Sequence, residues 1–287
     1  MRADGVSTGD RLVPVGAFIV GVQKGATSSL YWMLWQHPEV CDAPRKEWHY
    51  FDNDRRDWDD LDYSDYVTTA RSEPERLAID ATPSYLFWPR AMARLGRYAP
   101  SARLVATFRD PIERAFSHWM MEAGRDRSFP DFGRFVSRGP RWDLISDDGP
   151  LLMGGRRRAS IVERGLYGFQ LDRGFQHVPR EHWLLLDFDE VVADPAAAAE
   201  SVAEFYGLSP FPDTPAAEVR MAAPRQLRRT GPTEGDIEKL AGHFAEDLVR
   251  FAELSGMPVA HWSTAQILAG TLAPADLAER LSARLRR

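Results

Sequence analysis

The side chains with the clearest chemical potential fall in three short stretches. "QKGATSSL" (Gln23–Leu30) puts Lys24 beside Gly25 and Ala26, followed by the hydroxyls of Thr27, Ser28 and Ser29. The backbone N–H groups of a glycine-bounded turn running into a helix make an anion cradle. The hydroxyls add donors to it and Lys24 a point charge. "FRDPIERAFSHW" (Phe108–Trp119) sets Arg109 before an Asp-Pro helix start and Ser117 eight residues later. Proline suits a first helical turn, so Arg109 and Ser117, about two turns in, can reach one phosphate. "KEWHYFD" (Lys46–Asp52) spaces Glu47 and His49 two apart, on one side of an extended segment. A carboxylate and an imidazole so placed suit proton transfer. The competing readings are a tight turn with a solvated lysine, a helix-start salt bridge, and a surface loop packed by Trp48, Tyr50 and Phe51.

The first stretch approaches a nucleotide-binding P-loop and departs from it at the lysine. A Walker A loop reads G-x-x-x-x-G-K-[ST], whereas Lys24 precedes Gly25 and the loop is one residue shorter. A nucleotide hydrolase also needs Mg²⁺, held by the Ser/Thr after that lysine and by an acid at a later strand end. Asp80, ending "LAID", offers the acid, but the GK[ST] unit is missing. A loop that takes up phosphate without organising a metal points away from ATP or GTP hydrolysis. A P-loop small-molecule kinase using ATP and magnesium is the alternative reading, and a silent nucleotide-binding protein a third. No H-E-x-x-H spacing supports a zinc hydrolase and no G-x-S-x-G elbow is present, so no metal ligands are assigned.

These stretches need rigid elements to hold them. Val15–Val22, Arg76–Pro83, Ala102–Pro111 and His182–Glu190 are short apolar runs that read as strands. Helical patterns fall near Thr27–Trp35, Trp88–Tyr98, Ile112–Ala123, Ser160–Gln176, Pro195–Tyr206 and Gly235–Leu254. Alternating β and α segments with nearly continuous apolar strands predict an α/β fold, a central parallel sheet covered by helices on both faces. Ligands in such sheets sit beyond the carboxyl ends of the strands, which is where the first two stretches lie. Residues 129–155 and 209–234 break the alternation and are expected to be loop or lid insertions in one domain spanning 1–287.

The net charge of −6 argues against bulk attraction to nucleic acid or anionic membrane. Cys41 is the only cysteine, which fits a reducing compartment. No run approaches the ~20 apolar residues of a membrane span, and the first residues lack a signal-peptide core. A cytoplasmic protein is expected. Only Lys24, Lys46 and Lys239 are lysines among 36 basic residues, a bias that suggests a GC-rich bacterial genome.

Taken together, "QKGATSSL" and "RDPIERAFSHW" resemble the 5′-phosphosulfate loop and the 3′-phosphate motif of the PAPS-dependent sulfotransferase family. The resemblance runs through "KEWHYFD", "DATPSYLF", "GLYGFQL" and "DFDEVVADP", covers roughly residues 15–210, and is nearest the heparan-type and bacterial branch. It implies a P-loop-like three-layer αβα fold and sulfuryl transfer from PAPS, leaving PAP, to a hydroxyl or less favourably an amine. A small molecule, sugar or natural product would be the acceptor, and no metal is required. Lys24 would stabilise the leaving phosphate, Glu47 would be the general base, and His49 would orient or assist it. A buried Glu47 with a raised pKa would serve; so would His49, whose ordinary pKa lies nearer neutrality. Lys24, Gly25, Ala26, Thr27, Ser28, Ser29, Arg109 and Ser117 would hold the donor, with Tyr167 at the adenine. Arg225, Arg228 and Arg229 of "PRQLRRTG" match the family's late basic loop. One position departs: heparan-type enzymes carry a lysine where this chain has Ala81, which disfavours a polyanionic acceptor.

Overall fold

The computed structural model describes residues 11–146, 158–217 and 227–286. Its sheet is built on β1 (Arg11–Gly21), flanked by β3 (Ala78–Asp80) on one side and β4 (Arg103–Phe108) on the other. β5 (Trp183–Asp187) extends the sheet beyond β4, and these four strands are parallel. A short β2 (Val67–Ala70), absent from the sequence reading, pairs antiparallel with the first residues of β1, from Arg11↔Ala70 to Pro14↔Val67. The burial of β1 records the change of partner. Exposed and buried residues alternate through the stretch beside β2, and everything from Ala17 to Gly21 is buried. A strand covered on both faces has no solvent side to alternate with.

Helices cover both faces. Ala17 and Ile19 of β1 and Val105 of β4 pack with α1 (Thr27–Leu34) and, through Ala199, Val202 and Ala203, with α7 (Pro195–Phe205). The intervening Phe18 and Val20, with Leu104, Ala106 and Phe108, face the larger core. There they meet α2 (Ala91–Tyr98), α3 (Pro111–Arg125), α5 (Tyr167–Phe175) and α8 (Glu234–Ser255). The result is the expected three-layer αβα arrangement. Remaining described helices are α4 (Phe132–Arg138), α6 (Phe188–Ala193), α9 (Ser263–Leu268) and α10 (Pro274–Ala283).

Two sequence expectations change. The stretch expected to be loop from residue 129 contains α4 and a 3₁₀ turn at Trp142–Leu144. Phe132, Phe135 and Val136 are buried there, so an apolar stripe outweighed the Pro, Gly and Asp around it. The helix expected over Ser160–Gln176 is a 3₁₀ turn (Glu163–Gly165) followed by α5.

Candidate active site

The loop after β1 is shaped by close approach to the next strand. Lys24 and Ala26 both take left-handed backbone conformations, φ 74° and 67°, around Gly25. A Cβ on Gly25 would lie 2.7 Å from the Thr107 carbonyl oxygen and 2.8 Å from its Oγ1, so only glycine fits. Thr107 fastens the loop in return: its carbonyl accepts from Val22 N at 2.9 Å, and its hydroxyl donates to the Gly25 carbonyl. α1 begins at Ala26, which has no side chain to cap it, so the opening N–H groups of Thr27, Ser28 and Ser29 keep their donor capacity.

The second stretch starts α3 with its own cap. Asp110 accepts from Glu113 N at 2.8 Å, Pro111 opens the helix, and the other Asp110 oxygen accepts from Thr264 N at 2.7 Å. Arg109, at the end of β4, is buried, with its guanidinium 4.4 Å from the Phe188 ring centre. Its Nη2 meets Glu113 at 3.1 Å, while Nε and Nη1 are buried without a partner among the described residues. Ser117 is buried two turns along. Two groups the sequence reading passed over lie on the same helix. Among the described residues, Arg114 Nε and Nη1 have no partner, nor has either ring nitrogen of fully buried His118.

The charge in this region is one-sided. Burial, and then the positive charges of Arg109, Arg125, Arg284 and Arg114, pull the Lys24 ammonium below its ordinary value. His118 is pushed well down by burial and by Arg114, Arg164 and Lys24, so it stands neutral. An anion would relieve both the repulsion and the orphaned donors.

The third stretch is organised differently. Glu47 Oε1 accepts from Lys46 Nζ at 2.7 Å, and Glu47 Oε2 lies 3.3 Å from His49 Nε2. The other ring nitrogen, Nδ1, is 3.0 Å from Asp52, whose side chain is fully buried and also accepts from Ser84 Oγ. Glu47 and His49 do meet, but not on an extended segment. His49 has φ 51° and is held there by Asp52 and by Thr82 Oγ1, 3.3 Å from its N–H. Nor is Glu47 the carboxyl with a raised pKa that the sequence reading entertained. Burial pulls it up, yet the hydrogen bond with His49 and the charge of Lys46 prevail and hold it down to about 2. Asp52 was legible only as a carboxylate three residues after a histidine.

Asp80 is fully buried and spent on structure. It accepts from Tyr66 and Tyr85 hydroxyls at 2.6 Å each, from Thr82 at 2.5 Å and from Trp48 N at 3.3 Å. Both carboxylate oxygens are thus taken by donors. Tyr167 sits in the core rather than on the cleft: its ring packs on Phe108 and Phe251, and its hydroxyl donates to the Arg109 carbonyl at 2.9 Å. It braces the strand end that carries Arg109. Arg229 is committed to Asp131 at 3.1 Å and to the Arg127 and Phe129 carbonyls at 2.7 Å each. Arg228 is exposed, and Arg225 lies outside the described residues. Instead, Arg280 and Arg284, from the C-terminal helix and the turn after it, reach Glu113 beside Arg109.

The site is thus a mostly parallel αβα sheet with a glycine-bounded loop after β1 and an arginine–serine pair after β4, an arrangement suited to a group-transfer fold. Residues 62–213, more than half of the chain, match the model of the sulfotransferase family, and the chain belongs to that family. It is similar to mouse (Mus musculus) heparan sulfate glucosamine 3-O-sulfotransferase 3B1, 29% identical over 195 residues, 67% of this chain and 46% of the relative. Human (Homo sapiens) heparan sulfate glucosamine 3-O-sulfotransferase 6 is 29% identical over 197 residues, 67% of this chain and 52% of that protein. The chain spans about half the length of the curated relatives it matches. A solved sulfotransferase from Alicyclobacillus acidocaldarius superposes with a TM-score of 0.66 at 26% identity, covering 87% of this chain and 99% of that one. No helix among the described residues is long and apolar enough to cross a membrane.

Proposed function

We propose that the protein transfers a sulfuryl group from PAPS to a hydroxyl of a sugar or other small-molecule acceptor. The observation that carries this reading is the pair of buried, unpartnered donors on Arg109, set two helical turns from Ser117 and in the same positive field as Lys24. Two separated anion sites suit a nucleotide with phosphate at both ends. The donor supplies an activated sulfuryl group on a phosphate leaving group. The Gly25–Ser29 backbone and hydroxyls hold the 5′ end, and Arg109 with Ser117 holds the 3′-phosphate. Lys24 neutralises charge developing on the leaving oxygen, a task that otherwise falls to a metal. Glu47 takes the acceptor proton; His49, clamped by Asp52, orients that carboxylate and shares its charge.

The acceptor we infer is neutral. Ala81 is fully buried and brings no cation. Shortly after the proton-transfer residues in sequence the chain carries Asp57, Asp59, Asp60 and Asp62, which would repel a polyanion. The names of the curated relatives favour a carbohydrate. The test is a thermal-shift titration with PAP in EDTA, run beside ATP with magnesium. A ligand at 100 times its dissociation constant adds about 2.7 kcal/mol to the native state. Stabilisation by PAP without metal supports the reading; stabilisation by ATP and magnesium alone replaces it with a kinase.

A further inference from the structure

α5 begins with Tyr167, whose hydroxyl holds the Arg109 carbonyl, yet the helix has no cap of its own. Leu166 stands before it and has no polar side chain to meet the first N–H groups. The cap comes from another helix. Asp247 of α8 accepts from Gly168 N at 2.9 Å and from Phe169 N at 2.8 Å, one bond to each carboxylate oxygen. A carboxylate so placed meets both the open donors and the positive end of the helix dipole. The helices come this close because residue 168 is glycine: a Cβ there would lie 2.6 Å from the Asp247 carbonyl oxygen and 2.9 Å from Phe251 N. Phe251, one turn after Asp247, has its ring centre 5.5 Å from that of Tyr167 and 4.8 Å from that of Phe108, the last residue of β4. One turn of α8 therefore fixes the backbone that follows Tyr167, the Tyr167 ring and the residue before Arg109.

We propose that Asp247 is a positioning residue for the donor site: by capping α5 from α8 it sets Tyr167, and the Tyr167 hydroxyl sets the backbone of Arg109. The inference rests on the sulfotransferase reading and extends it to α8, beyond the matched residues 62–213. Glu113 and Phe188 steady the Arg109 guanidinium, and the Tyr167 hydroxyl holds its carbonyl. Where the two free donors of that guanidinium can reach depends on where its main chain is held. Arg109 is assigned to the 3′-phosphate, so a shift of its backbone weakens binding of a nucleoside 3′,5′-bisphosphate and spares a 5′-monophosphate. A second link between the helices, Arg250 Nη2 to Asp172 at 2.6 Å, ties them through partly exposed side chains further along α5. It serves as the control for docking alone.

The test is isothermal titration of the full chain with PAP and with 5′-AMP. The proteins are wild type, Asp247→Ala, Asp247→Asn, Tyr167→Phe, the double variant Asp247→Ala/Tyr167→Phe, and Asp172→Ala. Asp247→Ala should lose about fivefold to tenfold in PAP affinity with 5′-AMP within about twofold, and Asp247→Asn, which keeps one acceptor oxygen, should lose less. Tyr167→Phe should lower the same ratio of PAP to 5′-AMP affinity. The double variant should be no worse than the larger single loss, since both changes act on Arg109 through one hydroxyl. Asp172→Ala should leave the ratio at its wild-type value, which separates positioning from the docking of the two helices. An unchanged ratio in Asp247→Ala overturns the proposal, as does an equal loss for both ligands or full additivity in the double variant. If Asp247→Ala does not fold, the ratio in Asp247→Asn decides in the same way. Wild type binding PAP no better than 5′-AMP is a separate outcome. It removes the donor reading itself and this proposal with it.

Discussion

Around Lys24 and Arg109, buried cations outnumber their acceptors; around Glu47 and His49, each charged group already has a partner. Among the described residues Arg109, Arg114 and His118 keep unpartnered nitrogens in the interior, while Lys46, Glu47, His49, Asp52 and Ser84 form an unbroken chain of contacts. An unmet buried polar group costs about 1–3 kcal/mol, so the first region is held in a state that an anion relieves. In the second every charged group has at least one charged or hydrogen-bonded partner, and engaging an acceptor would mean giving up an internal contact. On the proposed reading, tight donor binding and weaker acceptor binding would follow from that difference, and each half can be broken separately.

The largest effect is expected at Lys24. Lys24→Ala should lower single-turnover rates with PAPS by about 10³-fold or more, as for loss of a transition-state charge, while Arg109 sustains measurable PAP binding. Wild-type PAP affinity should fall as pH rises through the depressed Lys24 pKa, earlier than an ordinary lysine near 10.5 requires; a flat titration to pH 10 would detach Lys24 from the phosphate. Glu47→Gln should reduce turnover by about 10²-fold or more with PAP binding intact. If its turnover equals wild type, the base is His49.

Smaller effects sharpen the picture of the Glu47–His49 cluster. Asp52→Asn should cost about tenfold in kcat at nearly constant KM, because it loosens the imidazole without touching the donor; a KM effect alone would assign Asp52 to acceptor binding. Lys46→Met removes one of the two groups holding Glu47 down to about 2, so Glu47 should rise toward its ordinary 4.5. As pH falls, activity should then begin to fail at a higher pH than in wild type, seen as an upward shift of the acid limb of kcat/KM. An unmoved limb would mean that Glu47 does not govern it. Least of all, Arg229→Ala should lose about 1 kcal/mol of stability in a denaturant melt and leave PAP affinity unchanged; a weakened affinity would return the loop to the donor site.

The loop after β1 and the start of α3 were the more legible in sequence. Glycine contacts, helix starts and strand ends are local, and Lys24, Gly25, Arg109 and Ser117 all lie within such signals. β2 escaped because Val67–Ala70 is only a few residues long and its pairing with Arg11–Pro14 is remote in sequence. Asp52 and the depressed Glu47 escaped for a related reason: spacing showed that two side chains could meet, not which third group would clamp them. Arg280 and Arg284 lie in "AERLSARLRR", which carries no motif, and only the packing of α9 and α10 against α3 brings them to Glu113.

The bare start of α1 has one more consequence. α3, α7 and α8 each begin under a side-chain cap, from Asp110, Asp194 and Thr233, whereas Ala26 offers none. The donor's phosphate would then complete the helix as a capping residue does. In amide hydrogen exchange, Thr27, Ser28 and Ser29 would trade protons with solvent freely until PAP arrives and then slow together. Secondary structure would thus be finished by a molecule that leaves with every turnover.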